Sequence, residues 1–183
     1  MLGEFDHMYD HLKIILYPDP RLKRLSTDAI FNDALHRLIK RMFEVMHEAR
    51  GVGLAAPQLG VNQRLFIINP TGNPEDDRAF INPVLFDAEG EEIAEEGCLS
   101  LPTIHVNVPR ATSLRIQAQD PEGNPFERLE TAYAARICQH ELDHLNGILL
   151  TDRMGPTAKL EHRKTLKDLE DQYAAANSSA GKT

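Results

Sequence analysis

Residues 140–144 (HELDH) carry the strongest chemical signal in the sequence. In a helix, side chains four positions apart lie on one face about one turn apart, so His140 and His144 can bind the same metal ion. Glu141 is offset by one position, which puts its carboxylate beside the ion and suits a base that takes a proton from water. The spacing therefore predicts a hydrolytic metal centre. The alternative is a chance match, in which two solvated histidines lie on a charged helix face.

A catalytic metal centre of this kind needs a third protein ligand and one position left open. The candidates downstream of the motif lie in uninformative contexts; they are Asp152, Glu161 and His162. Upstream, Cys98 follows a glycine, which permits close backbone approach, and a thiolate is a good ligand for a borderline divalent ion. A lone cysteine is otherwise a small buried hydrophobe. We expect that role for Cys138, which lies two residues before His140 and should point away from the metal.

Two further segments combine with this motif into a family pattern. Residues 51–58 (GVGLAAPQ), 96–100 (EGCLS) and 139–145 (QHELDHL) resemble the three signature motifs of the peptide deformylases, in that family's order. The resemblance runs from residues 17–22 (YPDPRL) to about Asp152. A chance HExxH match would not bring two more motifs with it. The resemblance implies a metal-dependent hydrolase that removes the formyl group from N-formylmethionyl nascent peptides and releases formate.

The resemblance also implies the make-up of the metal centre. One divalent ion would be bound by Cys98, His140 and His144, with the fourth position open to water and Glu141 as the general acid/base. The family favours Fe(II); Zn(II), Ni(II) and Co(II) are the other candidates. An enzyme that acts on nascent chains would work in the cytoplasm, with transient proximity to the ribosome.

Five more residues match family positions with assigned roles. The Gln58 side chain and the Leu99 backbone N–H would stabilise the negative charge that develops on the formyl oxygen. Gly53 would hydrogen-bond the backbone of an extended substrate, which a glycine allows to approach closely. Arg110 and Glu96 match a pair in relatives, and the alternative for them is two solvated charges. Without the other motifs, the glycine-rich loop would be an ordinary helix-to-strand turn.

The resemblance assigns Val52, Tyr133 and Ile137 to the pocket for the methionine side chain. Two substitutions depart from the family near this pocket, because Ala132 and Thr103 stand where glycines are usual. Both changes bear on the shape of the pocket, and neither touches the metal or the base.

Helical spacing predicts the elements that carry two of the motifs. Apolar residues recur at that spacing in residues 32–50, with Asn32 as the N-cap and Gly51 just past the end. Residues 131–146 form a predicted helix that Gly147 closes. A last amphipathic segment follows Gly155-Pro156, and its apolar residues are Leu160, Leu166, Leu169 and Tyr173.

Short β-type runs alternate with these helices. The predicted strands are residues 65–68, 80–86 and 113–118, and a cluster of turn formers lies at 120–125. The mixture predicts an α+β fold with antiparallel strands packed around a central HExxH-bearing helix and with a C-terminal helix.

Length and composition indicate one globular domain, since the chain has 183 residues, 42% of them hydrophobic. We expect an N-terminal extension at residues 1–13, a catalytic domain at 14–173 and a disordered tail at 174–183. The opening stretch carries acids and no arginine, which is unlike a secretory signal or a transit peptide.

Charge and cysteine content exclude several partners. The formal net charge of −8 argues against nucleic acid as the main ligand. No apolar run approaches the roughly 20 residues of a membrane-spanning helix. Two cysteines without a secretion signal favour a reducing compartment.

Two other classes of protein stay open. A metallopeptidase that cleaves internal peptide bonds would use Glu141 in the same way, but it would need a third ligand after His144. Activity on formyl-Met peptides, with none on unformylated ones, separates the two enzymes. A non-catalytic protein would close a structural site with a fourth ligand. Cys138 is the candidate for that ligand, and helix geometry argues against it.

Overall fold

The computed structural model describes residues 8–180, with side chains for residues 8–178. Its architecture is α+β with antiparallel sheets and a C-terminal helix, as predicted. Residues 1–7 and 181–183, which belong to the predicted extension and tail, lie outside the described residues.

The larger sheet contains five antiparallel strands: β1 (Gly53–Ala55), β2 (Leu65–Ile68), β3 (Arg78–Glu89), β6 (Ser113–Gln119) and β7 (Pro125–Thr131). They lie side by side in the order β1-β2-β3-β6-β7. The predicted strand at 65–68 is confirmed as β2, and the other two predicted strands are parts of β3 and β6. β7 was not predicted, because three of its seven residues are charged and only Glu130 is buried.

A separate hairpin is formed by β4 (Glu92–Cys98) and β5 (Leu101–Arg110). The hairpin is absent from the sequence prediction, although Ile104, Val106 and Val108 are buried and alternate with exposed residues, as in a half-buried strand. It carries Cys98 at the end of β4.

Two helices cover opposite faces of the larger sheet: α1 (Asp33–Glu48) and α2 (Ala132–Leu145). Strand β2 packs against both helices, because successive side chains of a strand point to opposite faces of the sheet. Leu65 and Ile67 belong to the apolar cluster of α1, whereas Phe66 and Ile68 belong to that of α2. This double burial explains why β2 is apolar at every position.

Helices α1 and α2 begin and end close to the predicted residues. Asn32 caps α1, since its side-chain oxygen accepts a hydrogen bond from Leu35 N at 3.0 Å. After α2, Gly147 adopts a left-handed φ of +69°, and a Cβ there would lie 2.5 Å from Lys23 O. Gly147 therefore ends α2, and its lack of a side chain lets the backbone at Lys23 pack closely against it.

The C-terminal region contains three helices: α3 (Leu150–Arg153), α4 (Pro156–Glu161) and α5 (Arg163–Ala180). The predicted amphipathic segment is divided at His162. Leu169 is buried and Leu166 partly buried against β5, whereas Leu160 is 69% exposed and contributes nothing to this core.

The predicted ends of the catalytic domain, at residues 14 and 173, both fall inside the described part of the chain. Helix α5 continues to Ala180, where a disordered tail was expected, because Ala174, Ala175 and Ala176 are strong helix formers. At the other end, Leu12 lies within the predicted extension but packs into the core cluster beside α1. Among residues 8–180, no helix combines the length and the apolarity that crossing a bilayer requires.

Candidate metal centre

Three potential metal ligands converge where β4 meets α2. The side chains of Cys98, His140 and His144 offer ligand atoms that all lie within 4.8 Å of one another. The Cys98 Sγ is 3.3 Å from His144 Nε2, and the two imidazole rings are 5.1 Å apart between centroids. Among the described histidines, cysteines and carboxylates, this is the one group with such a geometry. One sulfur and two nitrogens form a donor set suited to a borderline divalent ion.

Cys138 takes no part in this group. Its side chain is fully buried in the apolar cluster between α2 and the larger sheet. Burial raises the pKa of its thiol above the usual range. It is therefore the small buried hydrophobe that the sequence predicts.

Glu96 holds one of the histidines from the side opposite the ligand group. Its Oε2 lies 3.0 Å from His140 Nδ1, and Arg110 donates to both carboxylate oxygens at 3.0 Å. The predicted Arg110–Glu96 pair is thus confirmed, and both side chains are 5% exposed. Burial alone would raise the pKa of Glu96, but the hydrogen bonds from His140 and Arg110 outweigh it and bring that pKa to about 2. The ionised carboxylate leaves the opposite nitrogen of His140 available for a metal, as the outer partner of a ligating histidine does.

Glu141 lies beside the ligand atoms with a buried carboxylate. The residue is 4% exposed, and Oε2 has no hydrogen-bond partner among the described residues. Burial is the main cause that raises the pKa of Glu141 to about 7, and the negative charges of Glu96 and Asp143 add to it. The positive charges of His140 and Arg110 oppose this rise. A partnerless carboxylate with a pKa near neutrality is suited to exchange a proton with a bound molecule.

The Gln58 side chain is fixed with its amide N–H groups toward the same centre. Its Oε1 accepts a hydrogen bond from Ala55 N at 2.9 Å, which settles the orientation of the amide. Its Nε2 donates to Ser100 Oγ at 3.1 Å and lies 3.6 Å from Cys98 Sγ. Because Gln58 is 2% exposed, this donor is held in place before any ligand arrives.

Gly53 allows β1 and α2 to approach each other beside the ligand group. A Cβ on Gly53 would collide with Glu141 Oε1 and would lie 2.8 Å from Ile137 Cγ2. The space that a side chain would fill is therefore occupied by the candidate base itself.

One cavity of about 530 Å³ opens onto these groups. Every residue predicted for the site lines it except His144; the predicted residues in the lining are Val52, Gly53, Gln58, Cys98, Leu99, Tyr133, Ile137, His140 and Glu141. Among them, Ile137 is buried, whereas Tyr133 is 53% exposed.

The two departures from the family pattern both adopt left-handed backbone. Ala132 has a φ of +49° and Thr103 a φ of +64°, conformations that a glycine adopts without strain. Thr103 also lines the cavity. The substitutions therefore keep the backbone conformation of a glycine and add a side chain to it.

Sequence reasoning missed Arg136 and Asp143. Arg136 donates to Glu96 Oε1 at 2.8 Å, and Asp143 accepts from Arg110 at 2.7 Å. The spacing was a usable signal for Arg136, because it lies one helical turn before His140 and shares its face.

Comparison with known sequences places this site in a family context. A profile of the polypeptide deformylase family matches residues 11–160. The chain is 43% identical over 159 residues to a peptide deformylase of Thermotoga petrophila, covering 86% of this chain and 95% of the relative. It is 42% identical over 163 residues to one of Chromobacterium violaceum, covering 88% and 97%.

Solved structures show the same likeness. A peptide deformylase from Plasmodium falciparum superposes with a TM-score of 0.86 at 37% identity, over 89% of this chain and 98% of that one. One from Legionella pneumophila superposes with a TM-score of 0.83 at 38% identity, over 89% and 97%.

Proposed function

The chain belongs to the polypeptide deformylase family, and we propose from its geometry how it hydrolyses the formyl amide of N-formylmethionyl polypeptides. Cys98, His140 and His144 hold one divalent ion between β4 and the HExxH-bearing helix α2, which serves as the central helix of the fold. The donor set and the partnerless Glu141 Oε2 beside it fit such an ion. When bound, the ion acts as a Lewis acid that polarises the formyl carbonyl and makes water more acidic.

Glu141 moves the proton. Its Oε2 accepts a proton from the attacking water, whose oxygen forms a bond to the formyl carbon. The carboxylic acid then returns a proton to the amide nitrogen as the C–N bond breaks, which releases formate and a free amino terminus. Because Oε2 is buried and has no hydrogen-bond partner among the described residues, one carboxyl group can serve both steps.

Gln58 and Leu99 stabilise the charge that forms on the formyl oxygen. The orientation of the Gln58 amide supports this role, because Oε1 is held by Ala55 N and Nε2 lies 3.6 Å from Cys98 Sγ. The Leu99 backbone N–H follows directly after Cys98 in the chain and adds a second donor. Donors fixed in advance need no reorganisation during the reaction, which makes them effective.

The residues that line the cavity bind the substrate's methionine side chain and its backbone. Val52, Ile137 and Tyr133 surround the methionine side chain, and Gly53 hydrogen-bonds the peptide backbone. β1 lies at the edge of the larger sheet, so an extended peptide can add to it as a further strand. The substrates are nascent chains, which places the enzyme in the cytoplasm with transient proximity to the ribosome.

Each rival class of protein needs a ligand that the described group of Cys98, His140 and His144 does not contain. A third ligand after His144 would come from Asp152, Glu161 or His162. Asp152 instead accepts from Leu149 N at 2.7 Å and pairs with Lys23, and His162 contacts His105 O at 2.9 Å. The fourth ligand of a structural site would be Cys138, which is buried in the core.

The convergence of Cys98, His140 and His144 next to the Glu141 carboxylate carries this proposal. Its test is formate release from formyl-Met-Ala-Ser by apo-protein loaded without oxygen with Fe(II), Ni(II), Co(II) or Zn(II). We expect turnover of the formylated peptide, none of Met-Ala-Ser, the highest rate with Fe(II), and loss of the iron activity in air through oxidation of the ion or of Cys98. Cleavage of the unformylated peptide would contradict the function, and a zinc form equal to the iron form would contradict the choice of metal.

A further inference from the structure

We propose that Arg136 is a positioning residue for the metal centre, because it joins the hairpin that carries Cys98 to the helix that carries both histidines. The proposal rests on the proposed function, which makes these three residues ligands of one ion. β4 supplies Cys98 and α2 supplies His140 and His144, so the ligand set is complete only while hairpin and helix keep one relative position.

The Arg136 guanidinium reaches from α2 to both strands of the hairpin. It donates to Glu92 O in β4 at 2.7 Å and to Val108 O in β5 at 2.9 Å, with a longer contact to Ala94 O at 3.5 Å. The side chain is 8% exposed. Backbone carbonyls cannot change rotamer, so these bonds fix the strands themselves and not only their side chains.

Arg136 also orients the partner of His140. It donates to Glu96 Oε1 at 2.8 Å, while Glu96 Oε2 lies 3.0 Å from His140 Nδ1. Glu96 Oε1 thus accepts from both Arg136 and Arg110, whereas Oε2 accepts from Arg110 and faces the histidine. Outer partners of this kind set the ring orientation of a ligating histidine.

Arg110 alone would not fix the hairpin to the helix. It lies on β5, within the same hairpin as Glu96, and its link to α2 is Asp143 at 2.7 Å. Asp143 lies three residues after His140, and Arg136 lies four residues before His140. The two links therefore bracket His140, and the loss of Arg136 removes the one that lies before it in α2. The contacts of Arg110 with Asp143, of Glu96 with His140 and of Gln139 with Ala111 would remain.

Arg136 lines the cavity, but its contacts favour positioning over substrate binding. Its Nη1 and Nη2 both donate to protein oxygens, and the residue is 6% exposed. A substrate would have to displace bonds that already hold the hairpin.

The test compares Arg136→Met and Arg136→Lys with Arg78→Met, a matched control. Arg78 also pairs with a buried carboxylate, since it donates to Glu130 at 3.2 Å, but it lies on β3 and contacts none of the ligands. Each full-length protein is loaded with Co(II). The measurements are the affinity for cobalt by chelator competition, the thiolate-to-cobalt absorption band, and Tm.

We expect Arg136→Met to bind cobalt about 10–100-fold more weakly, the usual effect of removing an outer partner, with a changed absorption band. The cobalt affinity of Arg136→Lys should lie between those of Arg136→Met and the wild type. An ammonium keeps the positive charge at Glu96, but it lacks the planar fork that reaches two carbonyls. Arg78→Met should lower Tm and keep the wild-type affinity and band.

Wild-type affinity and spectrum in both Arg136 variants would overturn the positioning role, as would an equal loss of affinity in Arg78→Met. Either result would leave the proposed function intact, since the wild-type band would still report a thiolate ligand. Absence of that band from the wild-type protein would instead overturn the ligand set and this proposal together.

Discussion

Gly53 offers a test of how closely α2 must approach the sheet. The three atoms nearest to a Cβ at this position are Glu141 Oε1, Ile137 Cγ2 at 2.8 Å and Glu141 Cδ at 2.9 Å. Both neighbours belong to α2 and are 4% exposed, so the packing around them leaves little room to yield. In Gly53→Ala the added methyl group therefore displaces the Glu141 carboxylate from its position beside the ligands.

Two magnitudes follow from that displacement. An extra methyl group in a packed site costs about 1–3 kcal/mol, which lowers Tm by about 2–12 °C in a chain of this size. Misplacing the base by about 1 Å lowers kcat by about 100-fold. Metal content should stay at one ion per chain, because none of the nearest atoms belongs to a ligand.

Formate release at saturating formyl-Met-Ala-Ser measures kcat, and metal analysis of the same samples measures occupancy. Gly155→Ala is the control, because nothing lies within 4 Å of a Cβ at Gly155 and its φ is −71°. That variant should keep the wild-type kcat. Wild-type kcat with a full metal site in Gly53→Ala would show that the base tolerates the displacement or lies elsewhere.

Three further predictions concern single side chains. Glu141→Ala should keep its metal and lose at least about 100-fold in kcat; near-normal turnover would show that another group moves the proton. Gln58→Leu should lose about 10²–10³ in kcat with metal content unchanged, and an effect on KM alone would mean that Gln58 only holds the substrate. Ala132→Gly should raise the free energy of unfolding by about 1 kcal/mol, because it relieves a left-handed φ of +49°. Ala134→Gly, inside α2, should lower it by a similar amount in the same denaturant titration.

The sequence predicts best the features that depend on local spacing. The helix capped by Asn32 follows from periodicity and the strand at residues 65–68 from a short β-type run, and both are present. The spacing of His140 and His144 also predicts two imidazoles on one face, which the structure brings together with Cys98. Local rules suffice here because the relevant residues are neighbours in the chain or lie one helical turn apart.

The features that were missed depend on contacts between distant segments. Leu160 has the expected helical spacing but is exposed, because no element within residues 8–180 covers it. The acceptors of Arg136 are backbone carbonyls of β4 and β5, and no pattern of side chains identifies such partners. The raised pKa of Glu141 has the same origin, since its burial results from the meeting of α2 with β1.

The central claim is that one sulfur, from Cys98, and two imidazole nitrogens hold the ion. X-ray absorption spectroscopy of the zinc-loaded protein tests it directly. We expect one sulfur at about 2.3 Å and two nitrogens at about 2.0–2.1 Å, with the sulfur lost in Cys98→Ser and kept in Cys138→Ser. A second sulfur in the wild-type protein, or a sulfur that survives Cys98→Ser and disappears in Cys138→Ser, would contradict it.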